Sequence, residues 1–330
     1  AKTSRGTRRQ KSRRDRVDIR EELGAAEVDF ESAHKAVENV YERLRTSNRL
    51  DIAAVRDAIN PLIDSVLRNR EALAALVRMK GKGDYHYTHG LATAVWAVVL
   101  GRHLGMDKQE LQDLALGASI MDVGMTTLPE ELLEKSSSLT DKETRQIKDH
   151  VKAGLRVIAE GGSTSNRVLN IVACHHERYD GSGYPRGLKS NQIPPMARIA
   201  GIADTYDAMI TTRPFAKARS SYEAVLELQD LGDQHFQRSL IEQFVQTIGM
   251  FPTGSVVELS TGEVGVVVQQ NPTRRLKPKV VVILDENKHK KPEMTHVDLG
   301  VVVDDSAPAV WIARELELGA YDIHPHEYFI

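Results

Sequence analysis

From residue 21 to about residue 250, apolar positions recur mostly at helical spacing. Phe30, Ala33, Val37, Val40, Tyr41 and Leu44 stripe one face of a first helix, and Ile59, Leu62, Ile63 and Val66 stripe a second. Thr46, Ser47 and Asn48 break the first helix, and Asp51 is a good N-cap for the second, which Pro61 is expected to kink. Another start is written at Thr140, an N-cap whose capping box Glu143 completes. Between residues 173 and 195 the periodicity gives way to His, Gly, Pro and Tyr, which predicts loop. Helical spacing resumes over residues 197–210 and again from Tyr222. After Pro252 the texture changes. Residues 255–260 and 264–268, flanking Thr261-Gly262-Glu263, read as a β-hairpin, and residues 279–284 and 297–303 as further strands. The pattern predicts a mainly α protein with a small C-terminal β-module, barrel-like over 252–305 and closed by a segment containing Trp311.

A chain of 330 residues can hold one large core and an accessory domain. We divide it into a basic tail (1–20), an N-terminal helical segment (21–83), a helical domain (84–250) and the β-module with its C-terminal segment (251–330). The net charge of −2 points to no partner, but nine of the first twenty residues are Lys or Arg. Such a run could touch nucleic acid or an anionic membrane; we read it as a solvated, flexible linker, so a nucleic-acid partner is not expected. Cys174 is the single cysteine, which excludes an internal disulfide and suits a small buried core residue in a reducing compartment. The longest apolar run, 91–100, is far short of a bilayer span, and no apolar stretch follows the basic start. A soluble, cytoplasmic protein is therefore expected. The chain opens on Ala1, which suggests a fragment or processed product of something longer.

The candidate chemistry lies in a dispersed set of histidines and aspartates: His89, Asp122, His150, His175, His176 and Asp204. Each falls at or near the end of a predicted helix. Imidazole and carboxylate together suit first-row divalent metals, and a helical bundle can converge such side chains on one internal site. Spacing alone does not decide it, because ligands from separate helices keep no fixed interval. His103, His235 and His289 are read as ordinary surface or core residues.

The local motifs add to this. His175-His176-Glu177-Arg178-Tyr179-Asp180-Gly181-Ser182-Gly183-Tyr184-Pro185 resembles the signature of the HD-GYP family. Similar stretches flank it: Asp84 to His89, Leu128-Pro129-Glu130, Ile147-Lys148-Asp149-His150 with Gly154, Arg198 through Asp204 to Asp207, and Thr212-Arg213-Pro214-Phe215. The resemblance covers about 84–250, and the stretch after Pro252 is similar to a small β-module that follows this domain in some members. It implies an HD-type helical bundle acting on cyclic di-GMP, with one or two divalent ions, iron or manganese, as cofactor. Carried over by position, His89, Asp122 and Asp204 would serve a first metal and His150, His175 and His176 a second, with Asp122 bridging. Tyr184, Arg213 and Lys217 would contact the nucleotide.

The chain also departs from the family. Met121 and Met125 stand where members carry the histidine of the His-Asp pair and a following lysine. A thioether is a poor substitute for imidazole on iron(II) or manganese(II), and Met125 offers a phosphate neither charge nor a hydrogen bond. Ala216 replaces a frequent basic residue, and Tyr85 replaces the carboxylate of three-metal members, so no third ion is expected. The resemblance thus implies a cyclic di-GMP phosphodiesterase with an impaired site, or a non-catalytic cyclic di-GMP receptor or interaction module in bacterial signalling. Turnover of another phosphorylated nucleotide is a further alternative. The N-terminal helices could serve protein partners or a homodimer.

Overall fold

The N-terminal stripes fold as three helices, α1 (Ile19–Ser47), α2 (Ile52–Arg68) and α3 (Arg70–Met79). The computed structural model describes residues 15–329 except 48, 80–84, 134, 136, 214–216, 272 and 302–308, and for 85–87 the backbone alone. Residues 1–14 of the basic tail, Asn48, Asp84, the Tyr85 side chain and Pro214, Phe215 and Ala216 therefore lie outside the described residues. Every apolar position that striped α1 and α2 is buried. Asp51 caps α2 by accepting from the Ala54 amide at 3.0 Å. At Pro61, α2 continues as one helix. Ile59 on one side and Leu62, Ile63 and Val66 on the other are packed into the core.

Nine helices follow among the described residues: α4 (Tyr85–His103), α5 (Lys108–Ile120), α6 (Glu130–Leu133), α7 (Asp141–Lys148), α8 (His150–Gly161), α9 (Asn166–Cys174), α10 (Pro195–Ile210), α11 (Ser221–Asp230) and α12 (Arg238–Ile248). The expected capping box opens α7, with Thr140 Oγ1 accepting from the Glu143 amide and the Glu143 carboxylate accepting from the Thr140 amide. Residues 175–194 are almost wholly irregular, as their composition predicts. Helix α4 is the central element, because residues 91–100 are buried on every side rather than along one stripe. Trp96 on α4 meets Tyr206 on α10 edge to face at 5.2 Å, and Tyr206 meets Phe244 on α12 at 5.1 Å. One continuous apolar cluster joins the three N-terminal helices to this bundle. Among the described residues no helix is long and apolar enough to cross a membrane.

The C-terminal module is an antiparallel sheet of β1 (Val256–Leu259), β2 (Val264–Gln269), β3 (Lys279–Leu284), β4 (Lys290–Asp298) and β5 (Ile312–Glu315), in the order β4-β3-β2-β1-β5. The predicted hairpin is β1 and β2, and β3 lies where expected. Two expectations are corrected. Among the described residues β4 and β5 remain as edges, so the sheet is open rather than barrel-like. The strand expected at 297–303 begins earlier, at Lys290, and ends at Asp298, while Val301 is exposed beyond it. As an edge strand with most of its residues exposed, β4 is polar (Lys290, Lys291, Glu293, Thr295, His296) and lacks the apolar alternation that marks half-buried strands.

A buried polar joint fastens the module to the helices. The Arg78 guanidinium on α3 donates to the Ser221 hydroxyl at the start of α11 and to the Glu315 carboxylate on β5. Glu315 also accepts from the Ser255 hydroxyl at 3.1 Å and the Tyr222 amide at 3.0 Å. Both members of the ion pair are almost fully buried.

Candidate metal centre

Five elements deliver the histidines and aspartates to one place. His89 lies in the second turn of α4, and Met121 ends α5 as its C-cap. Asp122 follows and caps a 3₁₀ turn, Val123–Thr127. That turn presses on the first turn of α8, which begins with His150. A Cβ on Gly124 would stand 1.9 Å from the His150 carbonyl oxygen and 2.5 Å from the Gly154 nitrogen, so only glycine lets the two backbones meet. His175 caps the end of α9 and His176 follows it. Asp204 projects from α10, in mid-helix rather than near a helix end as expected.

These side chains meet as two groups. The donor atoms of Asp122, His150, His175 and His176 lie within 4.8 Å of one another, as do those of His89, Asp122 and Asp204. Asp122 belongs to both. Its Oδ1 stands 3.2 Å from His150 Nε2 and 3.5 Å from His175 Nε2. Burial would raise the Asp122 pKa, but bonds from His150 and His175 hold it well below the usual carboxylate range. Burial, reinforced by neighbouring His175, holds His176 well below the usual imidazole range and so favours a free lone pair.

The imidazole-rich group is aimed by backbone. His150 Nδ1 lies 2.7 Å from the Ile147 carbonyl and His175 Nδ1 3.0 Å from the Val172 carbonyl. A carbonyl only accepts, so each Nδ1 donates to it and each Nε2 faces Asp122, to which it donates until a cation takes the place of its proton. His89 is aimed by side chains instead. Its Nδ1 meets Asp207 Oδ2 at 2.7 Å and its Nε2 meets Asp204 Oδ1 at 2.9 Å, and Trp96 Nε1 donates to the other Asp207 oxygen at 3.1 Å. Burial opposes a charged imidazole here, yet the two carboxylates overcome it and push His89 up to about 10.

The loop after His176 is folded back over the cluster. The buried Glu177 carboxylate accepts from the Arg186 and Leu188 amides, each at 2.8 Å, and the Tyr184 amide donates to the His176 carbonyl at 3.1 Å. Tyr184 thereby stacks on His176 with ring centroids 4.6 Å apart.

All six sequence-derived ligand candidates thus converge, and Tyr184 lies against them. Arg213, half-buried, and Lys217, exposed, both follow α10. Met121 is fully buried in the main apolar cluster, and Met125 is half-buried. His103 bonds Gln243 on α12, and neither it nor His235 nor His289 belongs to either donor group. Cys174 is buried, with its thiol pKa raised by that burial. Sequence reasoning missed two residues that orient the site, Asp207 and Glu177. The signal for Asp207 was its i+3 spacing from Asp204, which puts both carboxylates on one face of α10. The donor set, four imidazoles and two carboxylates around a shared Asp122, fits divalent first-row ions.

The HD domain family model matches residues 61–240, and a model described as a KOW domain associated with HD domain matches residues 256–303. Among curated proteins, the chain is 32% identical over 285 residues to the cyclic di-GMP phosphodiesterase PA4108 of Pseudomonas aeruginosa, covering 86% of this chain and 69% of that protein. It is also 32% identical over 148 residues to a cyclic di-GMP phosphodiesterase of Thermotoga maritima, covering 44% of this chain and 40% of that one. Among solved structures, Bd1817, described as a HDG"Y"P protein from Bdellovibrio bacteriovorus, superposes with a TM-score of 0.55 at 22% identity, over 72% of this chain and 73% of that one. That likeness bears on the fold alone.

Proposed function

The chain belongs to the HD-GYP group of the HD domain family, and from that premise we propose that it is a cyclic di-GMP phosphodiesterase whose hydrolysis is slowed by Met121 and Met125. The observation that carries this reading is the sharing of Asp122 between two donor groups, the arrangement a two-ion site needs. Iron or manganese ions held by His89, Asp122 and Asp204 and by Asp122, His150, His175 and His176 would supply charge for the phosphoryl oxygens and an activated nucleophile. The remaining steps belong to the protein. The Ile147 and Val172 carbonyls hold His150 and His175 in the tautomer that turns Nε2 inward. Asp207 sets the plane of the His89 ring. Tyr184, braced on His176, offers a flat aromatic face and a phenol to the nucleotide. Arg213 is a fork donor for phosphate or guanine, with Lys217 near it in sequence.

A second reading, a cyclic di-GMP receptor without turnover, is favoured by the burial of Met121 among apolar side chains, next to Asp122. One experiment separates the two. Protein purified anaerobically and loaded with iron(II) or manganese(II) is incubated with cyclic di-GMP, and products are separated chromatographically. Metal-dependent formation of linear pGpG or GMP is expected. Its absence in a sample of confirmed metal content would leave the receptor reading. Met121→His combined with Met125→Lys is expected to raise product formation by about tenfold or more, through added charge stabilisation of the transition state.

A further inference from the structure

Lys148 ends α7, two residues before His150, and its side chain is turned to the mouth of the cluster. The ammonium stands 5.0 Å from the centroid of the Tyr184 ring, and that ring is stacked on His176 at 4.6 Å. Lys148 Nζ is therefore no farther from the His176 ring than those two distances laid end to end. Among the described residues Lys148 makes no ion pair. The neighbouring carboxylate that could have neutralised it, Asp149, lies 3.5 Å from Lys152 instead. The residue is exposed, so its charge remains hydrated and available to a ligand.

The cluster behind Tyr184 presents the carboxylates of Asp122 and Asp204, with Asp207 beyond them. A phosphate oxygen beside Lys148 offers the ammonium a charge-assisted bond stronger than its contact with the ring face. A dinucleotide has a second phosphate that cannot occupy the centre at the same time as the first.

We propose that Lys148 is a substrate-binding residue that contacts the phosphate of a cyclic dinucleotide not being cut at the His/Asp cluster. This rests on the cyclic di-GMP reading above. Lys148 holds the ligand's far side against Tyr184, while the near phosphate reaches the metal-loaded His/Asp cluster. Its charge, rather than its length, is what the ligand reads.

The test is equilibrium binding of cyclic di-GMP to the metal-loaded full chain, at low and moderate salt, for the wild type, Lys148→Gln and Lys148→Arg. The substitutions are on an exposed residue and are not expected to disturb the fold. Lys148→Gln is expected to bind about tenfold more weakly, as loss of one hydrogen bond to a charged group implies. Its affinity should also depend less steeply on salt than that of the wild type. Lys148→Arg should keep most of the affinity and the full salt dependence. Wild-type binding with unchanged affinity and salt dependence in Lys148→Gln would overturn the Lys148 assignment and leave the substrate reading standing. Failure of the wild type itself to bind cyclic di-GMP would overturn the substrate reading, and this assignment with it.

Discussion

On one side of Asp122, His89 is held by other side chains: Asp207 at Nδ1, Asp204 at Nε2, and Trp96 behind Asp207. On the other side, His150 and His175 are fixed by backbone carbonyls one turn earlier in the chain, within or just before their own helices. Both groups draw on the same aspartate. They differ in how many residues must be kept to preserve them. The carbonyl-held group needs only its helices, since any residue at 147 or 172 supplies the same acceptor. The side-chain-held group needs a chain of specific partners reaching from α4 to α10. Met121 stands beside Asp122, and on the proposed function it is the His89 group that has lost a donor. Substitution has thus entered on the side that depends on more individual residues.

The most severe way to probe this difference is to remove a carbonyl-held ligand. His175→Ala should empty the imidazole-rich group and lower pGpG formation by roughly a thousandfold, which metal analysis and chromatography would show together. Full retention of metal would mean that the histidines do not act as a set. Asp207→Asn should weaken metal at the His89 group alone, by about 10–100-fold, because it disturbs a partner of a ligand rather than a ligand. Titration with manganese(II) should then reveal one weakened and one unchanged class of site. An equal loss in both classes would dissolve the distinction between the two groups. Trp96→Phe should have the smallest effect, about fivefold in the same class, since it removes a single neutral-donor bond worth about 1 kcal/mol. A loss as large as that of Asp207→Asn would show that Trp96 does more than brace the carboxylate.

The same contrast governs what could be read from the sequence. Helices α1 and α2 were legible because each buries one stripe, and the starts of α2 and α7 because Asp51 and Thr140 cap them. The ligands were legible because His and Asp are chemically conspicuous and sit in recognisable local motifs. Asp207 was not, because it looks like any helical aspartate until α4 brings His89 to it. The polar edge strand β4 was missed for a related reason: an exposed strand has no core to imprint an alternation on it. Lys148 stood in a quoted motif but drew no role, since only the folded loop lays its ammonium over Tyr184.

The joint of Arg78, Ser221 and Glu315 bears on how far this protein can be treated as interchangeable parts. The HD model opens at residue 61, inside α2, and the KOW-type model closes at 303, ahead of β5. Boundaries of recognisable ancestry therefore do not coincide with boundaries of mechanical independence. A piece cut at 303 would contain both matched regions and lack Glu315, leaving a buried guanidinium without its counter-charge at a cost of about 3–5 kcal/mol. For anyone transplanting or trimming this chain, the short strand Ile312–Glu315 is a keystone for the helices, although it lies outside both matched regions.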